Sequence, residues 1–292
     1  MIHNLYKQRG ETPLERIHRF RDDNPDFKDQ KFTYLGRLDP MAEGLLLVAS
    51  GEDVKRKEEF LGLDKEYEFT ALFGFATDTY DCLGKIVRVE KLQDLDENQV
   101  RKVAGVYEGE REQKYPPFSS KTVLASSQKN SLPKVLGSPQ QASARLSSEN
   151  FSSKKPLFQV TLDGEIDGVE IPSKNINIYK MEFLGLQTLS PKELFGRLLM
   201  DISKVKGDFR QNEILITWKK VIEGIASKDA KNNTQNNTEP KIFLGNFKAS
   251  VSTGTYIRGI VNDLGNTLGM GACALSIKRT KLGEYKVEDS EK

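Results

Sequence analysis

Leu35-Gly36-Arg37-Leu38-Asp39-Pro40-Met41-Ala42-Glu43-Gly44-Leu45-Leu46-Leu47-Val48 sets an aspartate between a leucine and a proline, just ahead of an apolar run. Pro40 fixes its own φ and pushes the residue before it out of the α region. Asp39 is therefore expected on a turn, with its carboxylate pointing away from the segment that follows. Leu45 to Val48 reads as a buried strand or helix segment. A carboxylate presented from a rigid turn above a packed element suits a nucleophile or a base. The same residues also fit a helix cap, with Asp39 capping and Pro40 at the first helical position.

Working outward, Tyr67, Phe69, Ala71 and Phe73 alternate with Glu68, Thr70 and Leu72, the period of a strand. By that pattern alone Tyr67 is a core or cross-strand tyrosine. The next block carries Thr77, Asp78, Thr79, Asp81 and Gly84. Asp and Thr side chains bond nearby amides and Gly84 closes a turn, so the block predicts scaffolding beside a site. Its Asp78/Asp81 spacing lacks the remainder of a calcium loop. Far downstream, Phe247, Ala249 and Val251 alternate as a strand, and Gly254-Thr255 turns the chain. A helix follows, with Ile257, Ile260, Val261 and Leu264 on one side and Arg258 in its first turn. Arg258 alone reads equally well as a surface arginine. At the start, Leu5 to Lys7 is a short strand, and Thr12 caps a helix with Pro13 at its first position. Lys7 reads as a solvated lysine or as a phosphate contact.

Together these blocks resemble the pseudouridine synthases. The Gly36-Arg37-Leu38-Asp39-Pro40 pattern is similar to their catalytic motif and looks most like the TruB family, which acts on the tRNA T-loop. Lys65-Glu66-Tyr67 resembles that family's Lys-x-Tyr strand, Thr77 to Gly84 its Thr-x-Thr-x-Asp-x-x-Gly block, and Gly254-Thr255-Tyr256-Ile257-Arg258 its Gly-Thr-Tyr-Ile-Arg motif. Leu275 to Gly283 resembles its closing Leu-x-Arg-x-x-x-Gly strand. The opening block around Lys7 matches in part, with Gln8 and Pro13 in place of the family's proline and serine. The resemblance implies a pseudouridine synthase fold of the α+β class: a mixed, mostly antiparallel sheet flanked by helices. It implies isomerisation of uridine 55 in tRNA, with Asp39 as the catalytic carboxylate. Tyr67, Arg258, Tyr34 and Lys7 would bind substrate, Tyr34 standing where the family carries a histidine. Gly36, Thr77, Asp78, Asp81, Gly84, Gly254 and Tyr256 would shape the site. The reaction needs no metal and no cofactor, and the partner would be the T-arm of tRNA.

The chain of 292 residues is expected to be one catalytic domain with inserted segments. Residues 124–154 are rich in Ser, Gln and Lys and read as an inserted polar loop, after which Lys155-Pro156-Leu157-Phe158 resumes the family pattern. Ser190-Pro191-Lys192-Glu193 is a capping box with proline at the first position. It opens an inserted helical hairpin over 190–225, whose Lys204, Lys206, Arg210, Lys219 and Lys220 lie along RNA or form a solvated face. Residues 226–241 are Asn/Thr-rich and read as a low-complexity loop. With so few residues after the closing strand, the chain is expected to be without the C-terminal PUA domain of many relatives.

A net charge of +2 means that any nucleic-acid surface is a local patch. Two cysteines and two histidines give neither zinc spacing nor a disulfide framework. With no apolar run of about 18 residues and no signal-like start, the chain reads as a cytoplasmic monomer without membrane contact. Two other readings remain from the residues: a synthase acting on ribosomal RNA, suggested by Gly36-Arg37-Leu38-Asp39, and a catalytically silent RNA-folding module.

Overall fold

A computed structural model describes residues 1–90, 95–126, 152–232 and 240–292. Most of the polar segment at 124–154, and residues 233–239 of the Asn/Thr-rich stretch, lie outside the described residues. The strands are β1 Ile2–Lys7, β2 Phe32–Tyr34, β3 Ala42–Ser50, β4 Lys65–Phe73, β5 Phe75–Thr77, β6 Ile86–Val89, β7 Gly109–Lys114, β8 Thr122–Ser126, β9 Ser152–Pro156, β10 Ser173–Leu189, β11 Ile242–Val251, β12 Ala272–Leu282 and β13 Tyr285–Lys286. The helices are α1 Pro13–Asp23, α2 Lys57–Leu61, α3 Glu97–Val106, α4 Leu157–Leu162, α5 Pro191–Ile202, α6 Gln211–Asn232 and α7 Ile257–Thr267. The described residues form two compact units, 1–113 with 174–292, and 114–173.

The larger unit is built on a sheet of order β1-β3-β12-β4-β11-β10-β7, with β2 on β3 and β13 on β12. The β3–β12 pair is parallel, while β1–β3, β12–β4, β4–β11 and β11–β10 are antiparallel. This is the mixed, mostly antiparallel sheet with flanking helices that the sequence predicts. Alternation sends Tyr67, Phe69, Ala71 and Phe73 to one face, where they pack with α1, α3 and α7 through Phe20, Val100, Ala104, Ile260 and Leu264. Leu72, Leu244, Cys273 and Leu275 point to the other face and meet α5 and α6. The apolar run after Asp39 becomes strand β3. Its Leu46 and Val48 face the first core, while Leu45 and Leu47 pack with Leu35, Phe60 and Leu282. A strand buried on both faces shows no alternation, which is why that run alone did not separate strand from helix.

Ser190 caps α5 with both halves of the capping box in place. Helix α6 continues to Asn232, past Ala226 where the sequence suggests a loop. The alanines and lysines between 226 and 231 are good helix formers and extend it. In the smaller unit, β8 pairs with β9 and places Val123 opposite Lys155. Leu157 and Val160 of α4 are fully buried there. The Lys155 ammonium is ion-paired with Asp163 at 2.9 Å and Glu165 at 3.1 Å.

One glycine carries the strand crossing beneath the Asp39 turn. Gly44 has φ +103°, and a Cβ there would stand 2.4 Å from the Arg279 carbonyl oxygen. Gly44→Ala is therefore expected to destabilise the fold by about 2 kcal/mol or more, from left-handed strain and a backbone clash together. Thermal unfolding of the variant checks this, and an unchanged midpoint would contradict the close packing.

Candidate active site

Asp39 lies on a tight turn in which the Ala42 N–H donates to the Asp39 carbonyl at 3.0 Å. Strand β3 begins at Ala42, so no helix follows and the helix-cap reading falls. The Asp39 side chain keeps 36% of its surface open. Arg258, second residue of α7, has a side chain only 5% exposed. Its Nε donates to Asp39 Oδ2 at 2.8 Å, and its Nη1 donates to the Thr79 carbonyl. The same Nε is 3.6 Å from Asp81 Oδ2. One buried guanidinium thus gathers an open carboxylate from the Asp39 turn and a closed carboxylate and a backbone oxygen from the loop that holds Thr79 and Asp81. The fork is shared among these acceptors instead of gripping Asp39 with two parallel bonds.

Asp81 was expected to be scaffolding, and the structure brings it into the charged centre. Its Oδ1 accepts from Thr79 Oγ1 at 2.7 Å and from the Leu83 N–H at 3.0 Å. Burial pushes its carboxyl up to about 6, against the opposing pull of Arg258 and the Thr79 hydroxyl. Arg258 thus lies against two carboxyl groups, those of Asp39 and Asp81. The surrounding loop is closed by its own side chains. Thr77 Oγ1 donates to the Asp81 carbonyl at 2.7 Å, and Asp78 Oδ1 accepts from the Lys85 N–H at 2.8 Å. Any Cβ on Gly84 would stand 2.3 Å from Thr79 Oγ1, so only glycine closes this turn.

Lys7 is neither solvated nor placed for phosphate. It is 0% exposed, and its ammonium donates to the carbonyls of Gln8, Pro40 and Ala42. Desolvation lowers it to about 8, with the charges of Glu11 and Asp39 opposing. Lys7 holds the Asp39 turn from below. Across the sheet, Ala249, Tyr67, Arg279, Gly44 and Lys7 stand side by side on β11, β4, β12, β3 and β1.

Tyr67 is 7% exposed and belongs to the same core as Leu38 and Ala42. Tyr34 sits on β2 opposite Val48, and the Lys57 ammonium lies 5.6 Å from its ring centroid. Among the described residues, neither tyrosine is a hydrogen-bond partner of the Asp39–Arg258 pair. The Gly36 carbonyl accepts from Arg279, and Gly254 packs on Lys174, whose ammonium donates to the Thr253 carbonyl at 3.1 Å. Tyr256 precedes α7 and is clamped by Gln113, which accepts from its N–H at 2.8 Å and donates to its carbonyl at 3.0 Å.

Arg279 and Gln113 were missed by the sequence reading. Arg279 is 1% exposed, and its guanidinium donates to the carbonyls of Leu45 at 2.8 Å, Gly36 at 3.3 Å and Arg37 at 3.4 Å. It ties together the chain on either side of Asp39. A signal existed: Arg279 falls two residues past the buried Ile277 on β12, with the less buried Lys278 between them. An arginine in core phase must find buried acceptors. Gln113 gave no such signal, because it lies in a strand of charged residues.

Comparison with known proteins follows the same residues. The model of the "TruB family pseudouridylate synthase (N terminal domain)" matches residues 25–128, which include Asp39, Tyr67 and the Thr77–Gly84 loop. The tRNA pseudouridine synthase B of Aquifex aeolicus (strain VF5) is 26% identical over 284 residues, covering 97% of this chain and 69% of that protein. The tRNA pseudouridine synthase B of Shewanella baltica (strain OS185) is 26% identical over 274 residues, covering 93% of this chain and 56% of that protein. This chain thus spans between about half and about 70% of the length of such relatives. Among solved structures, a Cbf5–Nop10–Gar1 complex matches with a TM-score of 0.50 and 17% identity, covering 98% of this chain and 49% of that one. That likeness is one of fold.

Proposed function

We propose that the chain is a TruB-family pseudouridylate synthase and that it isomerises uridine 55 in the T-loop of tRNA to pseudouridine. The observation that carries the reading is the open Asp39 carboxylate held 2.8 Å from the buried Arg258 Nε. The reaction breaks the bond from N1 to the sugar, turns the uracil, and joins C5 to the same sugar carbon. The C5 proton is lost and N1 gains one, so atoms balance without an outside reagent. Arg258 donates to Asp39 and fixes the direction of its oxygens. Asp39 then acts on the flipped nucleotide, either attacking carbon or taking the C2′ proton. Tyr67, from its place on β4, would lie against the uracil and assist removal of the C5 proton. A base inside a folded T-loop must leave its stack to reach such a carboxylate. Basic side chains would position the phosphates without reading sequence.

Among the described residues, no helix is long and apolar enough to cross a membrane. The test is to incubate the protein with unmodified tRNA and map pseudouridine at single-nucleotide resolution. Product at position 55 is the expected result. Product confined to ribosomal RNA would overturn the tRNA assignment, and absence of product on any RNA would favour a silent RNA-folding module.

A further inference from the structure

The helical hairpin α5–α6 touches both turns that carry the site carboxylates. On the Asp39 side, Arg9 donates to Asp201 of α5 at 2.6 Å and to Glu43 of β3 at 2.9 Å. The Asp201 side chain is 6% exposed and that of Arg9 13%. The neighbouring Gly10 N–H donates to the Pro40 carbonyl at 2.9 Å, directly after Asp39. A Cβ on Gly10 would stand 2.7 Å from Lys204, so the end of α5 is pressed against this contact. Met41, two residues past Asp39, is buried in the core that the hairpin forms.

On the Asp81 side, Arg210 of the α5–α6 connection donates to Asp78 Oδ2 at 2.8 Å. Trp218 of α6 is fully buried and donates from Nε1 to the Cys82 carbonyl at 3.2 Å. Cys82 and Leu83, which follow Asp81, share the hairpin's core with Leu198, Ile202 and Ile214. Arg210 has φ +63°, a left-handed conformation that a non-glycine residue holds only at a cost. Strain kept at the residue that reaches Asp78 is what a positional requirement produces.

We propose that the α5–α6 hairpin is a positioning element that holds the Asp39 and Asp81 turns in register about Arg258, with Arg9, Asp201 and Arg210 as its positioning residues. This rests on the enzymatic reading above and deepens it. The physical need is plain. Asp39 and Asp81 repel each other across Arg258, and nothing in the local sequence of either turn sets their separation. A single body packed against both does so. The inference also reassigns Arg210 and Lys204 from the RNA-facing set: Arg210 is paired with Asp78, and the Lys204 ammonium lies 3.5 Å from Asp201.

The test uses the full chain with Arg210→Gly. Glycine accepts the left-handed backbone, so the substitution removes the guanidinium while relieving strain. The protein has one tryptophan, Trp218, so its emission reports whether the hairpin stays docked on Cys82. The expected result is an unchanged melting temperature within a few degrees, unchanged tRNA affinity, and a single-turnover rate lowered by roughly tenfold or more. Arg210→Lys should recover part of that rate, since an ammonium can still reach Asp78. Asp201→Asn is the second variant, expected to lower the rate in the same way from the Asp39 side. An active wild type with Arg210→Gly and Asp201→Asn turning over at its rate overturns this inference alone. So does a loss that appears wholly as weaker tRNA binding. A wild type with no turnover on any RNA overturns the enzymatic reading, and this inference with it.

Discussion

Asp39→Asn is expected to abolish pseudouridine formation while leaving the protein folded and able to bind tRNA. Asparagine keeps the shape and one acceptor oxygen of aspartate but loses its charge and its capacity to take a proton. A strand follows Asp39, so no helix depends on this side chain as a cap. The Asp39 side chain is 36% exposed, and only its Oδ2 is taken by Arg258 Nε. Removing its charge leaves Arg258 with Asp81 at 3.6 Å and the Thr79 carbonyl, so the guanidinium keeps acceptors. Stability should therefore hold within about 1 kcal/mol, as for a partly exposed ion pair. Phosphate contacts lie elsewhere, so affinity for tRNA should also persist. The single-turnover rate, measured with enzyme in excess, should fall by roughly 10⁴-fold or to the detection limit, as when a catalytic group is removed. Near-normal pseudouridine formation by this variant would end the catalytic reading and leave the silent module in its place.

Arg258→Lys is the second large effect, and its outcome differs in kind. Lysine keeps the positive charge but offers one ammonium where the guanidinium reaches two sides at once. In the structure Nε serves Asp39 and Nη1 serves the Thr79 carbonyl, so a point charge satisfies one and abandons the other. The loss touches stability as well as rate, because Arg258 and Asp81 are both closed to solvent. A buried carboxylate that loses its fitted partner is costly, and thermal unfolding should show a drop of about 3 kcal/mol. Turnover should fall by about 100-fold, the effect expected from misplacing a reacting group by an ångström. The two readouts separate the roles: Asp39→Asn affects rate alone, while Arg258→Lys affects rate and stability together. A lysine variant with full rate would show that charge, not the shared fork, orients Asp39.

The strand alternation of Tyr67 to Phe73, the cap at Thr12, the capping box at Ser190 and the turn at Asp39-Pro40 were all legible, because each rests on interactions within a few residues. The order of the motif blocks was legible too, and with it the resemblance to the pseudouridine synthases and the sheet architecture. Lys7 was misread because a lone lysine near a chain start has no local mark of burial. Only its pairing opposite Gly44, and the carbonyls that close around it, make it internal. Asp81 was placed in a scaffold loop by its neighbours Thr77, Thr79 and Gly84. Its partner Arg258 lies more than 170 residues further along the chain, beyond the reach of any local pattern.

The sequence by itself determined the elements, their caps, the turn that exposes a carboxylate, and the resemblance of its motif blocks to one family. The tertiary structure alone decided which charges meet: Arg258 between Asp39 and Asp81, Arg279 across the carbonyls of Gly36 and Leu45, and Arg9 between Glu43 and Asp201. The physical reason is range. Periodicity, capping and turn chemistry act over one or two turns of chain and leave their pattern in consecutive residues. A buried charge is stable only where distant strands and helices deliver its partners together, and no local pattern records that delivery.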